Sequence, residues 1–399
     1  MLSLRKNLNS PLNRRSWLAL AVASLTGCGG GASSSSSGGS ISAGAPGTGG
    51  TGQYAMLYSQ GSITGFGSVI INNIKFDDGL AGVQLDGVAA VSADLRLGMV
   101  AAVQGQRSAS AAAGTASRIE VWSVAQGRVT QLLTAGGTEF IVAGMTVQTD
   151  SATVFDGVSS AAQLALGSSV AVWGLQASAD GTHWKATRVA LASAATEVST
   201  GLVSVSGLQR QLNGLALSGA AADSLSAGQL VRVQGTLSAD GRSVAVERVT
   251  LLGAGLVGAQ PEGEIEIEGF VTSTPANGRF MLGSIEVDTR SAVYSPAGAS
   301  VVLGARVEVY GAWQAGVLKA TKVELETEDS LHAVEIEAPI EQFTSLADFV
   351  LRGQRCDASS AILSHGTAAD LRVGLKVKVQ GAKAGGDVLI VTEMEIGQD

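Results

Sequence analysis

One eight-residue segment, bounded by glycine at both ends, recurs five times along this chain and limits what the chain can fold into. The copies are Gly98–Gly105, Gly167–Gly174, Gly228–Gly235, Gly304–Gly311 and Gly374–Gly381. Between the glycines, apolar and other side chains alternate, as in Val170-Ala171-Val172-Trp173, Val231-Arg232-Val233-Gln234, Val307-Glu308-Val309-Tyr310 and Val377-Lys378-Val379-Gln380. A period of two means a strand with one buried face. The first copy carries Ala101 at the first valine position and keeps Val103 at the second, a departure of the kind terminal repeats show. Each copy is approached through a leucine-bearing stretch, such as Asp94-Leu95-Arg96-Leu97, Gln163-Leu164-Ala165-Leu166 or Asp370-Leu371-Arg372-Val373. That approach predicts a helical turn or tight loop delivering the glycine at positive φ.

A hairpin follows each copy. Asp180-Gly181 and Asp240-Gly241 are favoured turn pairs, with Gly316 and Gly385-Gly386 in the same place in later copies. The return strands read Lys185 to Val189, Val244 to Val249 and Leu318 to Leu325. Upstream, each repeat opens with a strand pair, clearest as Gly127 to Thr130 followed by Glu139 to Val147, and again as Glu266 to Val271 with Phe280 to Val287. The closing glycines are spaced by 69, 61, 76 and 70 residues. That is too long for propeller blades or solenoid coils and right for a small closed barrel of about five strands. Glycine supplies 53 of 399 residues and aromatics only 4%, which points to several small cores of Val, Ala and Leu rather than one large core. The expected fold is all-β: tandem small OB-like, five-stranded β-barrels following a disordered signal and linker. The repeats are expected at 54–125, 126–196, 197–258, 262–328 and 332–399.

The run Gly61-Ser62-Ile63-Thr64-Gly65-Phe66-Gly67-Ser68-Val69-Ile70-Ile71-Asn72-Asn73-Ile74-Lys75-Phe76 resembles the opening of a repeat family found in uncharacterised bacterial lipoproteins. The Leu-x-Gly-x-x-Val-x-Val-x-Gly anchor belongs to the same pattern. The resemblance covers nearly all of residues 60–396, with a short third copy and a fifth that diverges around Phe343 to Cys356. It implies a domain of unknown function with an OB-like barrel, similar also to small periplasmic OB-fold proteins, and it supplies no catalytic residue.

The first residues point to export. Arg5, Lys6, Arg14 and Arg15 precede the apolar run Trp17 to Leu25, with no acidic residue before Cys28. Such a run is too short to span a bilayer as a permanent helix. It closes on Leu25-Thr26-Gly27-Cys28, which resembles the bacterial lipobox. That resemblance implies a signal peptide over 1–27, lipidation of Cys28 (palmitate among the acyl chains) and a membrane anchor in the cell envelope. Asn13-Arg14-Arg15-Ser16-Trp17-Leu18 partly matches a twin-arginine signal as well, so both export routes stay open. Gly29, where an aspartate would favour inner-membrane retention, points to the outer membrane. Residues 28–53 read as the lipidated cysteine and a flexible Gly/Ser linker, whose span as a coil is roughly 25–30 Å.

Removing residues 1–27 takes away four basic residues and no acidic one, moving the formal charge from -8 to -12. Such a chain repels phosphate, which argues against nucleic acid despite the barrel type. With Cys28 lipidated, Cys356 is left alone and reads as a small buried hydrophobe. His183, His332 and His365 fall in different repeats without metal-ligand spacing and read as exposed turn residues. No nucleophile elbow, Walker loop, zinc helix or calcium loop is present, so no catalytic, cofactor or metal residue is assigned.

Two patterns carry sharper expectations. Glu262, Glu264, Glu266 and Glu268 alternate with Gly263, Ile265 and Ile267, and a second acidic stretch runs from Glu324 to Glu341. These rows read either as a solvated face that discourages edge-to-edge pairing or as a seat for a divalent cation. Trp173 and Tyr310, opposite the valines, are expected to cover inter-module or barrel-exterior surface. Together these features describe a non-enzymatic envelope lipoprotein whose modules form a binding or spacer array for a protein, glycan or small ligand. The alternatives are cation binding through the acidic strands, or a subunit of an envelope enzyme with carboxylates such as Glu139 and Asp150 as acid/base groups.

Overall fold

The computed structural model describes residues 54–108, 113–192, 196–253, 256–257, 263–327, 333–383 and 387–397. The expected signal, the lipidation site Cys28 and the linker lie outside the described residues, as do Glu262, His332 and Gly385-Gly386.

Module 1 shows the plan. Its barrel strands are Tyr54–Phe66, Val69–Ile71, Ile74–Asp77, Val100–Ser108 and Ala113–Val121. The first three form an antiparallel meander, the third runs parallel to the fifth, the fifth pairs antiparallel with the fourth, and the fourth returns to the first. The order 1-2-3-5-4-1 is that of an OB-type barrel closed on itself. Module 2 (Ala125–Leu132, Glu139–Val142, Met145–Gln148, Ser169–Gln176, His183–Leu191) closes through the same ladders. So does module 3 (Glu197–Ser206, Gln209–Leu212, Leu215–Ser218, Leu230–Leu237, Ser243–Gly253).

Module 4 (Glu264–Phe270, Arg279–Leu282, Ile285–Asp288, Arg306–Gln314, Val317–Leu325) joins its first and second strands only through a bridge between Val271 and Leu282. In module 5 (Ala333–Pro339, Asp348–Leu351, Gln354–Asp357, Lys376–Lys383, Val388–Ile396) the corresponding link is Glu341 N–H donating to Val350 O at 2.9 Å. The all-β fold of tandem OB-like barrels is therefore present throughout the described residues.

Both anchor glycines have structural reasons, and the reasons differ. The first of each pair sits at φ between +76° and +87°, reached in three copies through the 3-10 turns Ser92–Asp94, Ala161–Gln163 and Ala368–Asp370. The second sits at a bulge between the fourth and fifth strands, with the register slipping at Gly105, Gly174, Gly235, Gly311 and Gly381 alike. There a Cβ would lie 2.0–2.4 Å from a carbonyl oxygen of the partner strand. Only glycine lets the two backbones approach so closely.

Two expected strands are each a hairpin. Glu139 to Val147 breaks at Ala143-Gly144 (φ 52° and 75°), and Phe280 to Val287 breaks at Gly283-Ser284. At Ala143-Gly144 two consecutive positive φ values make the tight turn that matches strand twist, whereas at Gly283-Ser284 the glycine alone, at 57°, takes that conformation. Asn72-Asn73, Asn213-Gly214 and Arg352-Gly353 occupy the same place in modules 1, 3 and 5.

The modules do not form a row. The first strand of module 1 runs parallel to the first strand of module 4 (Leu57 beside Glu264, Gln60 beside Ile267), and at its far end it pairs with that of module 5 (Gly65 beside Glu335). Modules 2 and 3 meet through Val198 and Gln126. Modules 1 and 5 share one apolar core, into which Val154 and Trp173 of module 2 also reach, while modules 2, 3 and 4 each keep a core largely their own. Tyr58 and Ala102 of module 1 belong to the core of module 4.

Candidate functional site

Where modules 1 to 4 converge there is a cavity of about 100 Å³. Its walls are mostly apolar, with Val100 from module 1, Leu230 and Leu252 from module 3 and Leu282 from module 4, and the rings of Trp122 and Trp184 beside them. The most informative lining residue is Arg232, which belongs to the fourth strand of module 3 and is 2% exposed. A fully buried guanidinium must be neutralised and hydrogen-bonded, since desolvation opposes its charge. Asp86 of module 1 supplies the counter-charge at 2.6 Å, and the Ser123 carbonyl accepts from Nε at 2.8 Å. Ser123 is itself fixed by Asp86, which accepts from its amide at 2.8 Å. Burial draws the Arg232 pKa below the usual guanidinium range, partly offset by Asp86.

Arg232 Nη1 and Trp122 Nε1 are buried without a hydrogen-bond partner, and so is Ser284 Oγ. All three residues line the cavity. The guanidinium stands 5.2 Å from the centre of the Trp122 ring, a cation–π distance. Two carboxylates also reach the lining, Glu120 paired with Arg118 at 2.6 Å and Glu268 paired with Arg306 at 2.6 Å.

In the acidic strand of module 4, Glu266 and Glu268 are buried and only Glu264 keeps contact with solvent, and the three do not gather as a cation cage. Glu264 accepts a two-pronged contact from Arg107 of module 1 at 2.7 and 3.1 Å. Glu268 accepts from the Ser62 amide of module 1 at 2.8 Å. Glu266 and Glu308 are each 1% exposed, and no basic side chain is hydrogen-bonded to either carboxyl; the two find only each other and Tyr310. Burial first, and for Glu308 also the neighbouring carboxylates, pushes both above the ordinary range. The reading of this strand as a guard against edge-to-edge pairing is overturned, because it is the very strand that pairs edge to edge with module 1. Among the described residues, no three of His, Cys, Asp and Glu assemble in a metal-holding group.

Other singled-out residues fall as follows. His183 and His365 are exposed, and His365 sits in a positive-φ turn. Cys356 is 1% exposed in the shared core, and burial pushes its thiol up to about 12. Trp173 plugs the surface between modules, with Arg188 stacked 6.0 Å from its ring centre and reaching across to the Leu97 carbonyl at 3.2 Å. Tyr310 lies under Lys322 at 4.7 Å. Asp150 is spent on a turn, accepting from the Ala152 amide at 3.0 Å. Sequence reasoning missed Arg232, Asp86 and Trp122 as a unit. Its visible sign was an arginine between Val231 and Val233, on the face that the alternation turns away from the barrel core.

Comparison with known proteins bears on the repeats. A family model described as "Domain of unknown function (DUF5666)" matches residues 126–190, 196–247 and 268–324. Three segments of the chain are thus similar to this domain. The matched segments coincide with modules 2, 3 and 4, and modules 1 and 5, which lie outside the match, have the same strand order. No curated protein matches the chain. Among solved structures, "drosophila Unr CSD456" is similar at 10% identity over 50% of this chain and 97% of its own, with a TM-score of 0.14. At that score the likeness carries no argument.

Proposed function

We propose that this chain is a non-enzymatic cell-envelope lipoprotein, anchored through lipid on Cys28, whose DUF5666 modules form a single binding body rather than a string of separate binding units. The observation that carries the binding reading is the cavity at the junction of modules 1 to 4, lined by contributions from each of them. A mostly apolar recess with a few fixed polar groups is what small-ligand sites have in common. The charged groups in its lining are each engaged in an ion pair, Arg232 with Asp86 of another module, Glu120 with Arg118 and Glu268 with Arg306, which suits holding a shape more than transferring a proton. The anchor reading is supported by the basic residues, apolar run and Leu25-Thr26-Gly27-Cys28 sequence. No helix among the described residues is long and apolar enough to cross a membrane.

The test is metabolic labelling of the full chain in a Gram-negative host with an alkyne-bearing fatty acid, followed by fractionation. The expected result is a labelled chain in the outer-membrane fraction and an unlabelled, membrane-free Cys28→Ser chain. An unlabelled parent chain, or a Cys28→Ser variant that still sediments with membrane, overturns the anchor.

A further inference from the structure

We propose that the four-module cavity binds a small, uncharged, largely apolar molecule bearing a hydrogen-bond acceptor such as a ketone or ester carbonyl, held by Arg232 and Trp122. The proposal rests on the binding role given above and not on the lipid anchor.

The chemistry follows from what the lining offers. Arg232 and the indole of Trp122 have only donors to give, and each keeps one nitrogen without a partner. Neither can be satisfied by another donor. Ser284 Oγ, the third unpartnered atom, is able to donate or accept. A ligand that presents an acceptor meets this demand, whereas a pure hydrocarbon leaves it unmet.

Charge then decides between a neutral acceptor and an anion. Arg232 is neutralised by Asp86 at 2.6 Å, and the carboxylates of Glu120 and Glu268 stand in the same lining with their own arginines. An incoming anion would find no uncompensated cation and two carboxylates nearby, and would lose its hydration as well. A neutral carbonyl avoids both costs. The size is bounded too. About 150 Å³ takes benzene, so the 100 Å³ here corresponds to roughly four to six non-hydrogen atoms. The surrounding leucines and the two indole rings suit a compact alkyl or cycloalkyl body.

The experiment uses the full chain carrying Cys28→Ser, so that acylation has no part in the outcome. Indole N–H resonances are followed by NMR, with Trp122 assigned from Trp122→Phe, during titration with cyclopentanone, cyclopentane and isobutyrate. Cyclopentanone is expected to shift the Trp122 resonance saturably and to bind at least fivefold more tightly than either comparator. Leu252→Trp, which fills the cavity from a half-buried position, is expected to abolish the shift. Trp122→Phe, read by saturation transfer to the ligand, is expected to weaken binding at least threefold, and it keeps the proposal testable where Leu252→Trp does not fold. No saturable shift with any probe, equal binding of cyclopentane, tighter binding of isobutyrate, or unchanged binding in both variants each overturns the proposal.

Discussion

Glu266 and Glu308 stand on neighbouring strands of one barrel, each 1% exposed, with no basic side chain hydrogen-bonded to either carboxyl. Two such groups cannot both be ionised side by side, so at least one keeps its proton in the folded chain. Tyr310 is opposite Glu266 in the ladder and Glu268 is opposite Glu308, so no cation occupies either cross-strand position. Both carboxyls are raised by burial, which means the folded chain binds protons more strongly than the unfolded one. Their contribution to stability is complete below the ordinary value of 4.5 and is lost as pH climbs above it. Glu308→Gln keeps the shape and supplies an amide donor to Glu266. Thermal unfolding followed from pH 5 to 9 should show a higher midpoint for this variant at alkaline pH, worth about 1–3 kcal/mol, and a flatter pH profile. A midpoint below the parent at every pH would contradict the assignment. Cys356 gives a second check at this scale. With its thiol raised to about 12 and buried in the shared core, it should react with a thiol reagent at pH 8 at least about 100-fold more slowly than a free small thiol, and at the ordinary rate once the chain is unfolded. The burial of these glutamates had no sign in the sequence. Glutamate alternating with isoleucine describes a strand wet on one side, and what dries it is a strand some two hundred residues earlier.

Turns and bulges were the most legible elements, because their chemistry is local. The recurring glycine pair announced itself by spacing, and the structure gives each member its own duty: the first an αL-type turn, the second a bulge against a carbonyl. At Gly235 the clearance for a Cβ is 2.0 Å from the Ala245 oxygen. Gly235→Ala should therefore lower stability by about 1–3 kcal/mol in denaturant titration, and a variant within experimental error of the parent would refute the packing argument. The asparagines were less legible. Asn213 donates from Nδ2 to Ser199 Oγ at 3.0 Å and to the Thr200 carbonyl at 2.9 Å, and Asn72 repeats the pattern with Ser59 and Gln60. Both asparagines also hold positive φ, at 49° and 50°. Asn213→Ala loses the two bonds and the backbone preference together, so a cost of about 1–3 kcal/mol is expected in the same titration. The Asn213-Gly214 dipeptide is a plain turn signal. The reach of its side chain back to the first strand depends on a glycine at 201, where a Cβ would meet Asn213 Oδ1 at 2.7 Å.

For the whole molecule, repeat spacing set the size and number of the barrels and left their arrangement open, and the structure is a cluster around module 1. Repeat length follows from the chain itself, whereas module arrangement follows from surfaces that complement one another only after folding, as with Arg232 and Asp86 or Arg352 set 4.4 Å over Phe66. Five independent barrels would unfold in separate steps, whereas modules sharing ladders and core are expected to unfold together. Denaturant curves of the full chain read by near- and far-ultraviolet circular dichroism should superimpose in one transition, and resolved steps would favour independent modules. The first strand, Tyr54–Phe66, adds a matter of timing. It is synthesised before every other described element, yet its partners at Glu264–Ile267 and Glu335–Ile336 are among the later ones to be made. Until they arrive it carries an open, pairing-competent edge, the part of a sheet most prone to recruit a stranger. A nascent chain of this design stays adhesive for most of its synthesis, and chains cut short before module 4 are the ones that should be found aggregated.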